Sequence, residues 1–373
     1  MKLRIILTLV LVVLSVWIVF ATISTHAQTP QGSVISRPGG PIQQPSDDTI
    51  RVKVAVVNAP VTVRDTRNEL VLDLHKENIH VFDNDVEQTI DTFDLSAEPL
   101  SVVLVFETSQ RIAPLLPAVQ KSAIVFTQAV VGPSGEAAVL TYDAGVQHLL
   151  PLTEDRDAIE KTIKTLRAGN SGARLYDAMI DALSLLRNEP ANRRRVVLVV
   201  GEASDTGSEN RLGRVLRRAQ LENVVIYSVG LSTTSAITRS PQQSPSSSAT
   251  PAGTFGGKAM PGTVQTPTSQ EQYGGNIDLL NLAEWAVRNV QAVVKDRPLE
   301  VAATATGGLF QSAVRDSTIE KAVDSIGGEL NSQYTLSYHP TKTDDPGYHH
   351  IRMTVDRADV KIRTRPGYYL EGN

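Results

Sequence analysis

The apolar run from Val102 to Phe106 stops abruptly at Glu107, Thr108, Ser109, Gln110 and Arg111. A carboxylate, two hydroxyls and a guanidinium are thus displayed where a buried strand would end, a position from which loops carry functional groups on a rigid support. Ser109 could serve as a nucleophile only with a base and an orienting acid in reach. No Gly-x-Ser-x-Gly elbow occurs, and none of the seven histidines stands at a helix entry or a strand end of the sheet. His26 lies in the N-terminal leader, His75, His80, His339, His349 and His350 lie in β-rich terminal stretches, and His148 falls within a predicted strand. A hydrolase is therefore the weakest class, and the chain is expected not to be an enzyme. His349 and His350 could supply half a zinc site, but neighbours on a strand point to opposite faces. Gly256, Gly257 and Lys258 fail as a phosphate loop, because Ala252 stands where the first glycine belongs and Ala259 where Ser or Thr belongs. Arg193, Arg194 and Arg195 form the only dense basic cluster, which reads as a solvated loop before a strand.

The elements that must position these groups follow from patterning. From residue 50, short β-branched runs (Ile50 to Val57, Val61 to Arg64, Ile79 to Phe82, Thr89 to Phe93) alternate apolar and polar positions, as half-buried antiparallel strands do. Asp83, Asn84 and Asp85 suit a tight hairpin turn. After Pro99 the rhythm becomes strand, helix, strand. Val102 to Phe106, Ala137 to Tyr142, Val146 to Leu150, Val196 to Val200 and Val224 to Gly230 read as strands. Helical spacing covers 115–130, 154–166, 174–186, 211–221, 279–294 and 318–326, with a short strand at 308–311. Strands separated by helices predict a parallel sheet with helices on both faces. The chain closes with three β-rich runs, Tyr334 to Tyr338, His350 to Val355 and Val360 to Arg365.

Composition bounds the rest. With 373 residues and 41% apolar content, two domains with sizeable cores are available. A net charge of -4 gives no global electrostatic reason to expect nucleic acid. Lys2 and Arg4 precede a charge-free apolar stretch, so residues 1–27 read as a secretory signal peptide or as an uncleaved N-terminal anchor. Either reading exports the chain, to the periplasm, the cell envelope or the medium. Residues 28–48 are too poor in apolar side chains to order themselves and are expected to be a disordered tether. The stretch 232–275, rich in Ser, Thr, Pro, Gly and Gln, reads as a disordered insertion. No cysteine is present, which excludes disulfides, thiol chemistry and lipid attachment through cysteine.

The strand end resembles the opening of the von Willebrand factor type A (VWA) domain, whose metal-ion-dependent adhesion site begins Asp-x-Ser-x-Ser. The flanking runs Val56 to Asp65, Leu72 to Leu74, Ile79 to Asp83, Gln333 to Pro340 and Pro366 to Tyr369 resemble those of exported VWA-related proteins known chiefly from Acidobacteria. The resemblance implies an α/β fold, a VWA-type, Rossmann-like, mostly parallel sheet over 99–331. It also implies a β-sandwich-like unit into which that domain is inserted, built from flanks 50–98 and 332–369. Carried over position by position, Glu107 replaces the expected aspartate, Ser109 matches the first serine and Arg111 replaces the second. Ala173, after Gly172, stands where a threonine ligand belongs, and Glu202, or Asp205 in a shifted alignment, takes the acidic place. Two oxygen ligands are lost and a permanent cation is added, whereas magnesium demands near-ideal octahedral oxygens. The expectation is a degenerate site of Glu107, Ser109 and Glu202 without metal, Arg111 bonding to Glu107 or Glu202. A weak magnesium or calcium site stays open, because calcium tolerates irregular coordination. The resemblance further implies a noncatalytic, adhesion-like module of the cell envelope. Its partner, a protein of the envelope or extracellular space, would meet a rim of Glu107, Ser109, Arg111, Gly172, Glu202 and Asp205. The alternative is an envelope scaffold that has lost ligand binding. A membrane enters only through an uncleaved N-terminal segment.

Overall fold

Strand β5 (Leu100–Glu107) is buried along its whole length. Val103 and Val105 feed one core while Val102, Leu104 and Phe106 feed the other. Alternation of side chains across a strand that is covered on both faces explains why the run is continuously apolar. Around it a six-stranded sheet runs in the order β10-β9-β8-β5-β6-β7. Its members are β6 (Glu136–Tyr142), β7 (Val146–Thr153), β8 (Arg194–Gly201), β9 (Val224–Leu231) and β10 (Phe310–Ala313). All pairings are parallel except β6 with β7, which form a hairpin around Asp143. One face is covered by α3 (Leu175–Leu186), α4 (Leu212–Leu221), α5 (Leu279–Arg288) and α6 (Pro298–Thr306). The other is covered by α1 (Leu116–Lys121), α2 (Arg156–Lys164) and α7 (Asp316–Leu330). This is the mostly parallel, doubly covered sheet expected from the sequence.

The computed structural model describes residues 56–95, 98–190, 192–232, 279–291, 294, 297–313, 316–342 and 345–370. The expected signal or anchor, the tether, the run 50–55 and residues 233–275 of the insertion lie outside the described residues. No helix among the described residues is long and apolar enough to cross a membrane.

Strands from both chain ends build two antiparallel sheets, in the orders β13-β1-β11-β4 and β14-β12-β2-β3. These are β1 (Val57–Asp65), β2 (Ile79–Asp83), β3 (Val86–Gln88), β4 (Ile90–Leu95), β11 (Tyr334–Tyr338), β12 (Gly347–Val355), β13 (Val360–Arg363) and β14 (Gly367–Leu370). Val61, Val81, Phe93, Leu336 and Ile351 share a single core that draws on both sheets, and Phe93 stacks on Tyr334 with ring centroids 4.5 Å apart. Val57, the last residue of one expected run, joins the next expected run in β1, which passes through Pro60 without interruption. The turn at Asn84 and Asp85, both with positive φ, joins β2 to the short β3, and β4 then crosses to the other sheet.

Two local expectations change. The helix expected through 115–130 breaks at Ser122, whose Oγ donates back to Ala118 O at 3.0 Å, resumes as one α-helical turn, Ala123–Val125, and continues as a π-helical stretch, Phe126–Val131. The basic run is not a solvated loop. Arg194 and Arg195 open β8, donating to Leu330 O at 2.9 Å and to Glu222 O and Glu189 O at 3.1 and 2.6 Å. Arg193 pairs with Glu136 at 3.0 Å.

Asp83 ties the sandwich together. Its Oδ1 contacts His349 Nδ1 at 2.9 Å, and its Oδ2 accepts from Tyr338 at 3.1 Å and Tyr368 at 2.7 Å. His349 is buried in β12, while His350 meets Arg288 and Glu284 on the exposed side. Removing a buried acceptor leaves its donors to bear their desolvation cost. Asp83→Ala is therefore expected to lower unfolding free energy by about 2 to 4 kcal/mol, read from the urea midpoint, while Asp85→Asn at the exposed neighbour, where φ is 63, changes it little.

Candidate functional site

Glu107 is the last residue of β5, and Gly201, the last of β8, lies beside it: a Cβ at Gly201 would come 2.8 Å from the Glu107 Cβ and Oε2, and 2.3 Å from the Tyr142 hydroxyl. The missing side chain leaves the room that the Tyr142 hydroxyl and the Glu107 side chain occupy. Glu107 is 1% exposed. Its Oε1 accepts from Ser109 Oγ at 2.5 Å, and its Oε2 accepts from the backbone N–H of Glu202 at 2.6 Å and from the Tyr142 hydroxyl at 3.5 Å. Burial pushes the Glu107 carboxyl above its ordinary pKa, the Ser109 and Glu202 N–H bonds pull it back, and the nearby Glu202 charge raises it again. Tyr142 is pushed well above its usual range, by burial first and then by the Glu107 charge, so it remains a donor.

Arg111 reaches the second carboxylate, its Nε lying 3.4 Å from Glu202 Oε2. The guanidinium therefore neutralises Glu202, and it also acts on Glu107 through its charge. The loop between Ser109 and Arg111 is clamped to its neighbour. Gly169 N donates to Thr108 O at 2.7 Å, and Gln110 donates through its backbone to Asn170 O and through its side chain to Gly169 O. Asp143, buried at the β6–β7 turn, accepts from Asn170 N at 2.6 Å and Gly145 N at 2.9 Å, which fixes that neighbour in turn.

Among the expected residues, Glu107, Ser109, Arg111 and Glu202 form one chain of contacts. Gly172 and Ala173 sit on the adjoining loop. Gly172 has φ +121 and would meet Ala144 if given a side chain, and Ala173 exchanges backbone contacts with Thr206, its N–H donating to Thr206 Oγ1 at 2.9 Å. Asp205 serves the first turn of α3 instead, its Oδ1 accepting from Ser208 Oγ at 2.5 Å and from Tyr176 N at 3.3 Å. Of the two alignments, the one with Glu202 puts the acid beside Glu107. Sequence reading did not single out Gly201, Tyr142, Asp143 or Thr206. Only the abutment of Gly201 against a polar stop at Glu202 hinted at the first. Among the described residues no histidine bonds to Ser109. His148, on β7, pairs with Asp181 at 3.2 Å, and the other described histidines belong to the sandwich strands and their connections.

A parallel sheet with a polar cluster at the carboxyl end of its central strand defines a class, and the family model for the von Willebrand factor type A domain matches residues 102–204. Over that stretch the chain matches a VWA domain, a type of domain that commonly mediates protein–protein interaction. No curated protein sequence matches the chain. Among solved structures, the chain is similar to the conserved hypothetical protein BatB from Bacteroides thetaiotaomicron (11% identity, 62% of this chain and 98% of that one, TM-score 0.39). It is also similar to an aerotolerance-related membrane protein from Bacteroides fragilis (10% identity, 62% and 99%, TM-score 0.39). The VWA domain of SpRpn10 matches at 16% identity over 37% of this chain and 78% of that one, with a TM-score of 0.31. At such scores the assignment rests on the family model.

Gly201→Ala is expected to destabilise the chain by about 1 to 3 kcal/mol through overpacking against Glu107 and Tyr142, and Glu107→Asp in the same chain should recover little of that loss in a denaturant titration. A second expectation concerns pH. Because the folded pKa of Glu107 lies above its ordinary 4.5, the native state binds more protons than the unfolded one between the two values, and stability falls as pH rises through that window. Glu107→Gln stays neutral. Its stability relative to wild type should therefore climb across the same window, measured by urea midpoints from about pH 4 to about pH 8.

Proposed function

We propose that the chain is an exported, noncatalytic, protein-binding VWA module that captures its partner without a metal ion, through the rim of Glu107, Ser109, Arg111, Gly172, Glu202 and Asp205. One observation carries the reading: both oxygens of the Glu107 carboxylate are already engaged by Ser109 Oγ and the Glu202 N–H, and Arg111 stands on Glu202. A magnesium ion needs six oxygens at about 2.0 to 2.1 Å. Ala173 offers no side-chain oxygen, Asp205 is committed to α3, and no group of three His, Asp or Glu side chains among the described residues could hold a metal. The donor set does not fit the ion. A charged, partly exposed guanidinium beside two buried acids is instead suited to a carboxylate on the partner.

Lack of catalysis is supported by Ser109, which donates to a carboxylate and has no histidine base. Export is supported by the charge pattern of residues 1–27. The sequence signatures of the flanks support a place among the exported VWA-related proteins known chiefly from Acidobacteria. The flanks join the VWA domain at the opposite end from the rim, since Leu100 opens β5 beside Arg194 and Leu330 ends α7 against the same arginine. The rim therefore points away from the sandwich.

The test has two parts. With 1 mM magnesium and a dissociation constant near 0.1 mM, a working metal site would add about 1.4 kcal/mol, a rise of a few degrees in melting temperature. No such rise is expected in the wild type, and Arg111→Ser with Ala173→Thr should begin to create one. A magnesium-dependent rise in the unmodified protein, abolished by Glu107→Ala, would sink the metal-free reading. In capture experiments on the exported chain, Arg111→Glu should reduce partner recovery at least about tenfold, compared at a temperature where the melting transition shows both chains folded. Equal recovery would make the chain a scaffold.

A further inference from the structure

At the starts of β8 and β9, remote from the adhesion rim, a cavity of about 380 Å³ lies against β1 and β11 of the sandwich. Arg193, Arg194, Arg195 and Arg365 line it, and Glu98 is the one acid among the lining residues. Four guanidinium groups around a small cavity need a reason each. Arg193 has one in the ion pair with Glu136. Arg194 and Arg195 have part of one, since Leu330 O closes α7 and Glu222 O follows α4, where free carbonyls and the helix dipole favour a cation.

Arg365 has none. It lies between β13 and β14, is 4% exposed, and makes one hydrogen bond among the described residues, from Nη1 to Asn223 Oδ1 at 3.4 Å. Its Nε is buried without a partner, as is the Nε of Arg195. Among the described residues no carboxylate lies within ion-pair distance of Arg194, Arg195 or Arg365. Taking a cation out of water is costly, and folded chains normally repay the cost with a counter-charge and full hydrogen bonding. Burial lowers the pKa of Arg194 against the opposing influence of Tyr227, Glu98 and Glu329, and lowers that of Arg365 with tyrosines and no acid opposing it.

We propose that this cavity binds a small oxyanion, free or as the phosphate or carboxylate group of a small molecule, held by Arg365 with Arg194 and Arg195 beside it. The planar guanidinium fork matches both groups in bidentate fashion. The volume falls within the roughly 300 to 1,000 Å³ usual for small-molecule sites, and Asn58, Thr335 and Ser337 supply neutral polar groups on the same lining. Because strands from both chain ends and the starts of two sheet strands contribute, an anion there would bridge the sandwich to the VWA domain.

The experiment is a thermal melt of the full chain in inorganic phosphate, malonate or glucose 6-phosphate against chloride of equal ionic strength. A rise of at least about 2 °C at 10 mM is expected for at least one of them. Which of the three acts best separates free phosphate, carboxylate and phosphorylated small molecule. Asn223 has φ 52, a conformation that aspartate also tolerates. Asn223→Asp should therefore set a resident carboxylate against Arg365, raise the melting temperature without added anion and at least halve the response to it. Arg365→Gln should abolish the response, and should it not fold, Asn223→Asp decides alone. Absence of any oxyanion-specific rise in the wild type overturns the proposal. So does a response that survives Asn223→Asp undiminished, because the anion would then sit elsewhere.

Discussion

One antiparallel pairing closes the molecule. β11, which follows the last helix of the VWA domain, lies hydrogen-bonded between β1 and β4, which precede its first strand. Everything between Glu98 and Leu330 is therefore a loop whose two ends are held a strand's width apart, about 4.8 Å. Neither terminal segment completes its sheets without the other, since a two-stranded ribbon is marginal in water. The side chains at the junction reinforce this. Glu329 of α7, fully buried, pairs with Arg64 of β1 and with Arg363 of β13, so a single carboxylate anchors the inserted domain to strands from both ends of the chain. A buried charge of that kind stabilises little by itself, but loss of one partner would leave the others uncompensated, which makes the junction specific.

The polar cluster at the end of β5 follows from the same economy applied to one strand end. β5 carries its apolar alternation up to Phe106, and the next residue must place a charge in a dry environment. The carboxylate is tolerable there because a hydroxyl two residues on and a backbone N–H from the adjacent strand both donate to it, and because Arg111 offsets the second acid. Asp143 does the comparable work one strand over, holding the loop that holds Gln110. The rim is thus an internally satisfied surface, with Arg111 as its partly exposed charge above the buried pair.

How much of this was legible depends on range. The strands β5, β8 and β9 announce themselves as apolar runs bounded by polar residues, and the polar stop at Glu107 marks a strand end by its abruptness alone. Glu202 needed the family pattern, because a glutamate after a strand is unremarked by spacing. The long-range pairings left no local trace. Asp83 meets Tyr338, His349 and Tyr368 from across the chain, and its position in an Asp-Asn-Asp turn suggested only the turn. Arg193 to Arg195 looked solvated because the carbonyls that bind Arg194 and Arg195 close helices far away in sequence or a short connection just before the run. The break at Ser122 was hidden by a helical periodicity that continues through it, the hydroxyl competing for a carbonyl that periodicity does not register.

Gly201 also sets a limit that does not depend on the length of the acid beside it. A Cβ there would come 2.3 Å from the Tyr142 hydroxyl and 2.8 Å from the Glu107 Cβ, an atom that an aspartate would carry as well. Shortening the acid therefore frees little room, and while Tyr142 keeps its hydroxyl the end of β8 admits no side chain. Three neighbouring strands, β6, β5 and β8, are in this way drawn to one point, and the backbone N–H of Glu202 is delivered to the carboxylate by that closeness.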